Sequence, residues 1–103
     1  MAIVYGDLNN FKELVNDDLV LVDFYAQWCG PCKMLGPVLE QMDTERSLVK
    51  IVKVNIDDNS ELTQTYGVMS VPTLILFKNG EVLDIKNGYM PKDLLDNWIS
   101  KYL

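Results

Sequence analysis

Hydrophobic positions along this chain fall into two kinds of run. Leu19-Val20-Leu21-Val22-Asp23-Phe24-Tyr25 is apolar at nearly every place, the pattern of a strand covered on both faces. Leu35, Val38, Leu39 and Met42 recur at i, i+3, i+4 and i+7, the stripe of one helix face. Between them lies Trp28-Cys29-Gly30-Pro31-Cys32-Lys33, so the pattern predicts a strand that delivers the chain to a helix N-terminus at this hexapeptide.

The remaining elements follow from the same reading. Ile3-Val4-Tyr5 is a short strand candidate. Asn10 and Glu13 have the spacing of a capping box, with Asn10 as N-cap of a first helix whose face carries Phe11, Leu14 and Val15. The second helix is predicted from near Pro31 to about Arg46, with a kink where Pro37 lacks an N–H for the Lys33 carbonyl. Val49 to Ile56 is a third strand. A third helix, about Ser60 to Tyr66, is stopped by Gly67 in a left-handed conformation. Thr73 to Lys78 is a fourth strand, Asn79-Gly80 a tight hairpin turn, and Glu81 to Ile85 the antiparallel return. Asn87-Gly88 marks another turn. Pro91 opens a last helix at its first position, with Leu94, Leu95, Trp98, Ile99, Tyr102 and Leu103 on one face. Strands alternating with helices, then a hairpin, predict an α/β domain with helices on both faces of a mixed sheet. No linker or repeat divides residues 1–103, so one domain is expected.

Composition narrows the functions. The chain has 103 residues, 49% hydrophobic and 23% charged, with a net charge of −6. No basic stretch tracks a phosphate backbone, so no nucleic-acid partner is expected. No apolar run approaches the ~20 residues that span a membrane, so no membrane partner is expected either. Met1 to Asp7 lacks the basic and apolar regions of a signal peptide, and a cytoplasmic location is the expectation.

Cys29 and Cys32 are the two cysteines of the sequence, and there is no histidine. A thiolate is the attacking form in disulfide exchange, and a helix N-terminus favours it through free N–H groups and the dipole. Cys29 near the N-cap would be the exposed nucleophile, with the Cys32 amide aimed at its sulfur, and Cys32 the resolving thiol. Gly30 relaxes the turn between them; Pro31 stiffens it. A static disulfide and half of a shared zinc site are the alternatives. Asp23 interrupts an otherwise apolar strand six residues before Cys29. Burial disfavours its charge and raises its pKa, which suits a group that takes and returns the Cys32 proton. An Asp at an uncovered strand end is the alternative there.

The run Val22-Asp23-Phe24-Tyr25-Ala26-Gln27-Trp28-Cys29-Gly30-Pro31-Cys32-Lys33 resembles the thioredoxin family signature. The resemblance continues through Val52 to Asp57, Val71-Pro72-Thr73-Leu74, Phe77-Lys78-Asn79-Gly80 and Gly88. It implies a thioredoxin fold: a central five-stranded sheet in the order 1-3-2-4-5, strands 4 and 5 an antiparallel hairpin, flanked by four helices. It implies a thiol–disulfide oxidoreductase that reduces protein disulfides through a reversible Cys29–Cys32 couple, with no bound cofactor. A thioredoxin reductase would recharge it, with NADPH used indirectly, and the protein would act as a monomer. By the same resemblance Asp23 deprotonates Cys32, Lys53 approaches and modulates Asp23, and Gly30 and Pro31 help set the redox potential. Pro72 matches the family's cis-proline, and Trp28, Val71, Pro72 and Gly88 form the substrate rim around Cys29. Met34, Met42 and Tyr66 are expected to pack only.

The chain departs from the family at Tyr25, where Trp is common, and at Gln27, Ser70, Asn87 and Met90-Pro91. These departures bear on partner preference and potential. A non-catalytic interaction subunit built on the same surface is the alternative function. An oxidase or isomerase on the same fold is disfavoured by Gly30-Pro31.

Overall fold

The computed structural model describes residues 3–45 and 48–103. Its elements are β1 (Val4–Tyr5), α1 (Phe11–Leu14), β2 (Val20–Tyr25), α2 (Gly30–Glu45), β3 (Lys50–Asn55), α3 (Ser60–Thr65), β4 (Thr73–Lys78), β5 (Glu81–Asn87) and α4 (Lys92–Ser100). The five strands form one sheet in the order β1-β3-β2-β4-β5. β1 and β2 run parallel to β3; β4 is antiparallel to β2 and β5 to β4. This is the thioredoxin fold, with two helices on each face.

Alternation along the central strands divides the core. Leu21, Ile51, Leu74 and Leu76 face one way, into a layer with Leu35, Leu39 and Met42 of α2 and Leu95, Trp98 and Ile99 of α4. Val20, Val22, Phe24, Val52, Val54, Ile75 and Phe77 face the other way, toward Phe11, Val15 and Leu62. β2 therefore sits between two dry layers, with Val20 through Phe24 wholly buried.

Several local expectations shift. The capping box lies three residues early: Asp7 Oδ1 accepts from the N–H groups of Asn9 and Asn10, and Asn10 Oδ1 accepts from the Asp7 N–H at 2.7 Å. Asn10 is thus the reciprocal partner, and its side chain makes no cap bond to α1. Asp7 wins because a helical turn already runs from it, with the Phe11 N–H on the Asp7 carbonyl at 2.9 Å. Pro91 is the N-cap of α4, in extended backbone, rather than its first residue. Helix α4 buries Leu95, Trp98 and Ile99, while Leu94 and Leu103 lie in solvent. β5 runs on to Asn87, which pairs with Thr73. The predicted end of α2 at Arg46 lies outside the described residues, and the helix passes through Pro37.

Two turns match their residues. Gly67 has φ +65 and closes α3 with its N–H on Gln64, and Val68 N–H on Thr63, a Schellman end. Asn79 and Gly80 both have positive φ, as the twist of a two-residue hairpin requires. Their N–H groups are tied to the carbonyls of Asp17 and Val15, which anchors the hairpin to the end of α1.

Helix α4 is fastened to β5 through one carboxylate. Asp84 Oδ2 accepts from the Trp98 indole at 2.8 Å and the Tyr102 hydroxyl at 2.9 Å, and Oδ1 from the Ile85 N–H. The Trp98 bond is the leading reason that the Asp84 pKa is lowered. A lowered acid stabilises the fold above its unfolded pKa and loses that contribution as pH falls through its folded pKa. Asp84→Ala is therefore expected to cost about 1–3 kcal/mol at pH 7, the cost of orphaning a buried donor. Urea denaturation measures it, and the gap to the unaltered chain should shrink as pH falls below the ordinary carboxylate range, where the unaltered carboxyl also gives up its charge.

Candidate active site

At the carboxyl end of β2 the chain turns through Ala26 to Trp28 and enters α2 at Gly30. Cys29 sits just ahead of the helix: its N–H reaches the Ala26 carbonyl at 3.3 Å, and its carbonyl accepts from Lys33 at 3.2 Å. The Cys32 N–H points at Cys29 Sγ from 3.2 Å. The two residues are joined as a disulfide, with their Cα atoms 5.2 Å apart. That one amide, at the positive end of a sixteen-residue helix, favours negative charge on the Cys29 sulfur whenever the bridge is open.

The expected exposure of Cys29 needs correction: both cysteines are 5% exposed. The bridge folds the sulfurs against Ala26, Tyr25, Ile56 and Val71. What distinguishes Cys29 is its surroundings. The Val71 carbonyl lies 3.6 Å from its Sγ, and the Val71-Pro72 peptide is cis. The Pro72 carbonyl in turn accepts from the Gly88 N–H at 2.8 Å, with Gly88 at φ +91. Trp28 stands 68% exposed beside the pair, its indole N–H held at 2.9 Å by Asp57 Oδ2. Cys29, Cys32, Trp28, Val71, Pro72 and Gly88 thus share one end of the sheet. Gly30 and Pro31 form the exposed first turn of α2, and a side chain at Gly30 would meet nothing within 4 Å.

Asp23 lies on β2 on the α2 side of the sheet, level with Lys53 of β3 and Leu74 of β4. It is wholly buried, and neither carboxyl oxygen has a hydrogen-bond partner. Loss of water drives its pKa up from 3.8 to about 7, against a smaller pull downward from the Lys53 charge. The Lys53 amine makes no hydrogen bond to this carboxyl. It lies over the Tyr25 ring, 4.6 Å from the centroid, a cation–π contact that its neighbouring strand position makes possible. An open cleft of about 570 Å³ brings Cys32 and Lys53 to a common surface with Tyr25, Ala26, Gln27, Lys33 and Gly36.

A hollow of about 600 Å³ lies at the opposite end, between Phe11, Tyr66 and the Asn79-Gly80 turn. It has no thiol or carboxyl placed for electron or proton exchange beyond the surface acid Glu81. Met34, expected to pack, is 60% exposed, while Met42 and Tyr66 do pack, Tyr66 against Phe11, Phe24 and Phe77. Asp57 and Thr73 are contributors that the sequence gives no role, and Asn87 enters it only as a departure from the family. Asp57 is set by an Asx turn, its N–H on Asn55 Oδ1, and the Asn55-Ile56-Asp57 spacing is the signal. The Thr73 hydroxyl donates to the Ser70 carbonyl at 2.7 Å, and the Asn87 side chain meets that hydroxyl at 3.0 Å. Among the described residues no group of three or more His, Cys, Asp or Glu could hold a metal ion. No described helix is long and apolar enough to cross a membrane.

The Thioredoxin family model matches residues 2–101. The chain is 46% identical to a thioredoxin of Bacillus subtilis over 104 aligned positions, covering 100% of both chains. It is 50% identical to a thioredoxin of Rickettsia felis, covering 98% of each. A solved mutant thioredoxin from Halobacterium salinarum NRC-1 superposes with a TM-score of 0.91 at 37% identity, covering 97% of this chain and 89% of that one.

The Asp23 carboxyl carries a definite pH signature. Its folded pKa is about 7 against 3.8 when solvated. Its contribution to stability is therefore fully present below about pH 4 and is lost as pH rises through about 7. Asp23→Asn, which cannot ionise, is expected to be more stable than the unaltered chain at pH 8, by a difference approaching about 4 kcal/mol. That advantage should be absent near pH 4. Guanidinium denaturation at the two pH values measures both.

Proposed function

The chain belongs to the thioredoxin family, and from that membership and the Cys29–Cys32 bridge at the head of α2 we infer how it works. It is a thiol–disulfide oxidoreductase: its redox equivalent is carried in a disulfide rather than a bound cofactor, and its substrates are proteins that contain disulfides. Our reading of the individual steps rests on the geometry of the Trp28-to-Lys33 motif. In the reduced form the Cys29 thiolate, held by the Cys32 N–H, attacks one sulfur of a target disulfide. A Cys29–target bond forms as the target's S–S bond breaks, and the departing sulfur takes a proton. Cys32, once deprotonated, attacks Cys29 Sγ; the Cys29–Cys32 bond forms and the second target sulfur leaves as a thiol. Two electrons pass to the target, and the chain ends oxidised, the state of this structure.

Asp23 supplies the proton traffic for the second step. A carboxyl with a pKa near 7 is part ionised at neutral pH, so it can accept a proton from Cys32 and return it later. The open cleft beside Cys32 and Lys53 gives water access to this side of the pair. Lys53, stationed over Tyr25 rather than on the carboxyl, restrains the Asp23 pKa without fixing the group in its charged form. Gly30 and Pro31 set the stiffness of the loop that must reclose. Trp28, Val71, Pro72 and Gly88 receive the target chain, the Val71 backbone offering an extended edge. A reductase returns the pair to the dithiol, and we assign NADPH as its ultimate source of electrons. We place this one-domain protein, residues 1–103, in the cytoplasm as a monomer, where a dithiol pool is kept reduced.

Reduction of insulin disulfides with a reductase and NADPH tests this reading. Cys29→Ser should abolish turnover, and Cys32→Ser should accumulate the mixed disulfide, visible as an intermolecular adduct that dithiothreitol releases. An equally active Cys29→Ser protein would overturn the assignment. Asp23→Asn should slow release of the mixed disulfide roughly 100-fold near pH 7, the low end of the range for removal of a general base. Rapid-quench analysis of the adduct checks it.

A further inference from the structure

The two edges of the sheet differ. β1 offers only two residues. β5 offers seven, Glu81 to Asn87, with β4 on one side and no strand on the other. A long bare edge is a template for another chain, because its outward N–H and C=O groups lack ladder partners. Here the face beside it is apolar as well: Val82, Leu83 and Ile85 are exposed. Val82 and Ile85 stand opposite Phe77 and Ile75, on the face that carries the Phe11 and Leu62 layer. The register steps from Leu76–Asp84 to Phe77–Val82, so Leu83 is an extra residue without a partner in β4.

Which amides point outward follows from the far end of the strand. The Gly88 N–H reaches the Pro72 carbonyl, and antiparallel pairing alternates from there. Lys86 and Asp84 therefore direct their N–H groups at β4, and Asn87 and Ile85 direct theirs away from it. The outward Ile85 N–H is already engaged: Asp84 Oδ1 accepts it at 2.8 Å. The same carboxylate is held from its other side, where Oδ2 accepts from Trp98 of α4 and from Tyr102 just beyond it. Those two donors leave Oδ1 for the backbone.

We propose that Asp84 closes this edge: by occupying the outward Ile85 N–H it keeps β5 from pairing with the β5 of a second copy of the chain. A second copy is the occupant that the strand itself suits. About a two-fold axis through Ile85, antiparallel pairing sets Ile85 on its own mate and Lys86 opposite position 84, so no like charges oppose each other there. That pairing needs the Ile85 N–H for the Ile85 carbonyl of the copy, and Asp84 already takes its proton. The copy would lie beside Gly88, one residue past the strand, so closure also keeps the target-chain rim clear. That consequence rests on the oxidoreductase reading; the closure itself does not.

Sedimentation equilibrium over a dilution series up to about 1 mM, where even a Kd in that range shows, tests the closure. The unaltered chain is expected to stay at the monomer mass, while the mass of Asp84→Ala climbs with concentration toward twice as much. Ile85→Pro, added to Asp84→Ala, removes the N–H where an edge strand tolerates proline, and should restore the monomer. Trp98→Phe with Tyr102→Phe loosens α4 but leaves Oδ1 on Ile85, and should stay monomeric too. Equal masses for the unaltered and Asp84→Ala chains would overturn the proposal. Association that proline leaves intact, or that the double Phe chain shows to the same degree, would overturn it too, by tracing the effect to a loosened α4. Hydrogen exchange tests the bond in the unaltered chain. With intrinsic rates divided out, the Ile85 amide should exchange about 5-fold more slowly than the outward Asn87 amide, the factor of one hydrogen bond. Equal rates there would also sink the idea. Failure to reduce insulin would instead overturn the oxidoreductase reading and leave the closed edge standing.

Discussion

A carboxyl group enclosed between two hydrocarbon layers is the constraint around which this molecule is arranged. Asp23 occupies a place in β2 that Leu21 and its neighbours would fill with hydrocarbon, and it has no hydrogen bond to offset the loss of water. A group in that position is held mostly neutral at mildly acidic pH and ionises around neutrality. It stays dry because β2 is the middle strand, with β3 and β4 on its flanks and α2 above. Sheet order is therefore part of the acid–base chemistry: at an edge, water would reach the carboxyl and its pKa would fall back toward the ordinary range.

The same strand explains how far the sequence alone could be read. The unbroken apolar run of β2, the helix stripe of α2 and the Asn79-Gly80 turn each express one local rule, and the structure follows them. Resemblance to a family added the sheet order, which no local pattern encodes, because β3 lies between β1 and β2 only through tertiary packing. Asp23 was legible because a charge in an apolar strand is conspicuous. Where the reading slipped, two local solutions competed. Asp7 and Asn10 both suit an N-cap, and the choice depended on which carbonyl Phe11 reached. Leu94 shares the spacing of a buried face, yet α4 meets the sheet along Leu95, Trp98 and Ile99, leaving Leu94 in solvent.

Partners that span strands were the least legible. Lys53 and Tyr25 are remote in sequence and meet only because β2 and β3 run side by side. Asp57 and Trp28 meet across the same end of the sheet. Thr73 and Asn87 face each other through the β4–β5 register, which includes an irregularity at Leu76 and Phe77. An isolated Asn in a strand carries no sign of the hydroxyl opposite it. The functional end of the fold is thus assembled from residues whose types are ordinary and whose addresses are not.

The bonds on either side of Val71 have a consequence for the breadth of targets. Ordering a loop during association spends conformational entropy, and that expense makes a binding surface choosy about which chains repay it. Here the edge is already set before any target arrives, so the entropy lost is mainly the visitor's own. Main-chain groups present the same face to nearly every sequence. Under the docking we propose, a rigid edge beside a reactive sulfur would make a generalist, able to take many polypeptides, with selectivity left to the few exposed side chains beside it, such as Trp28.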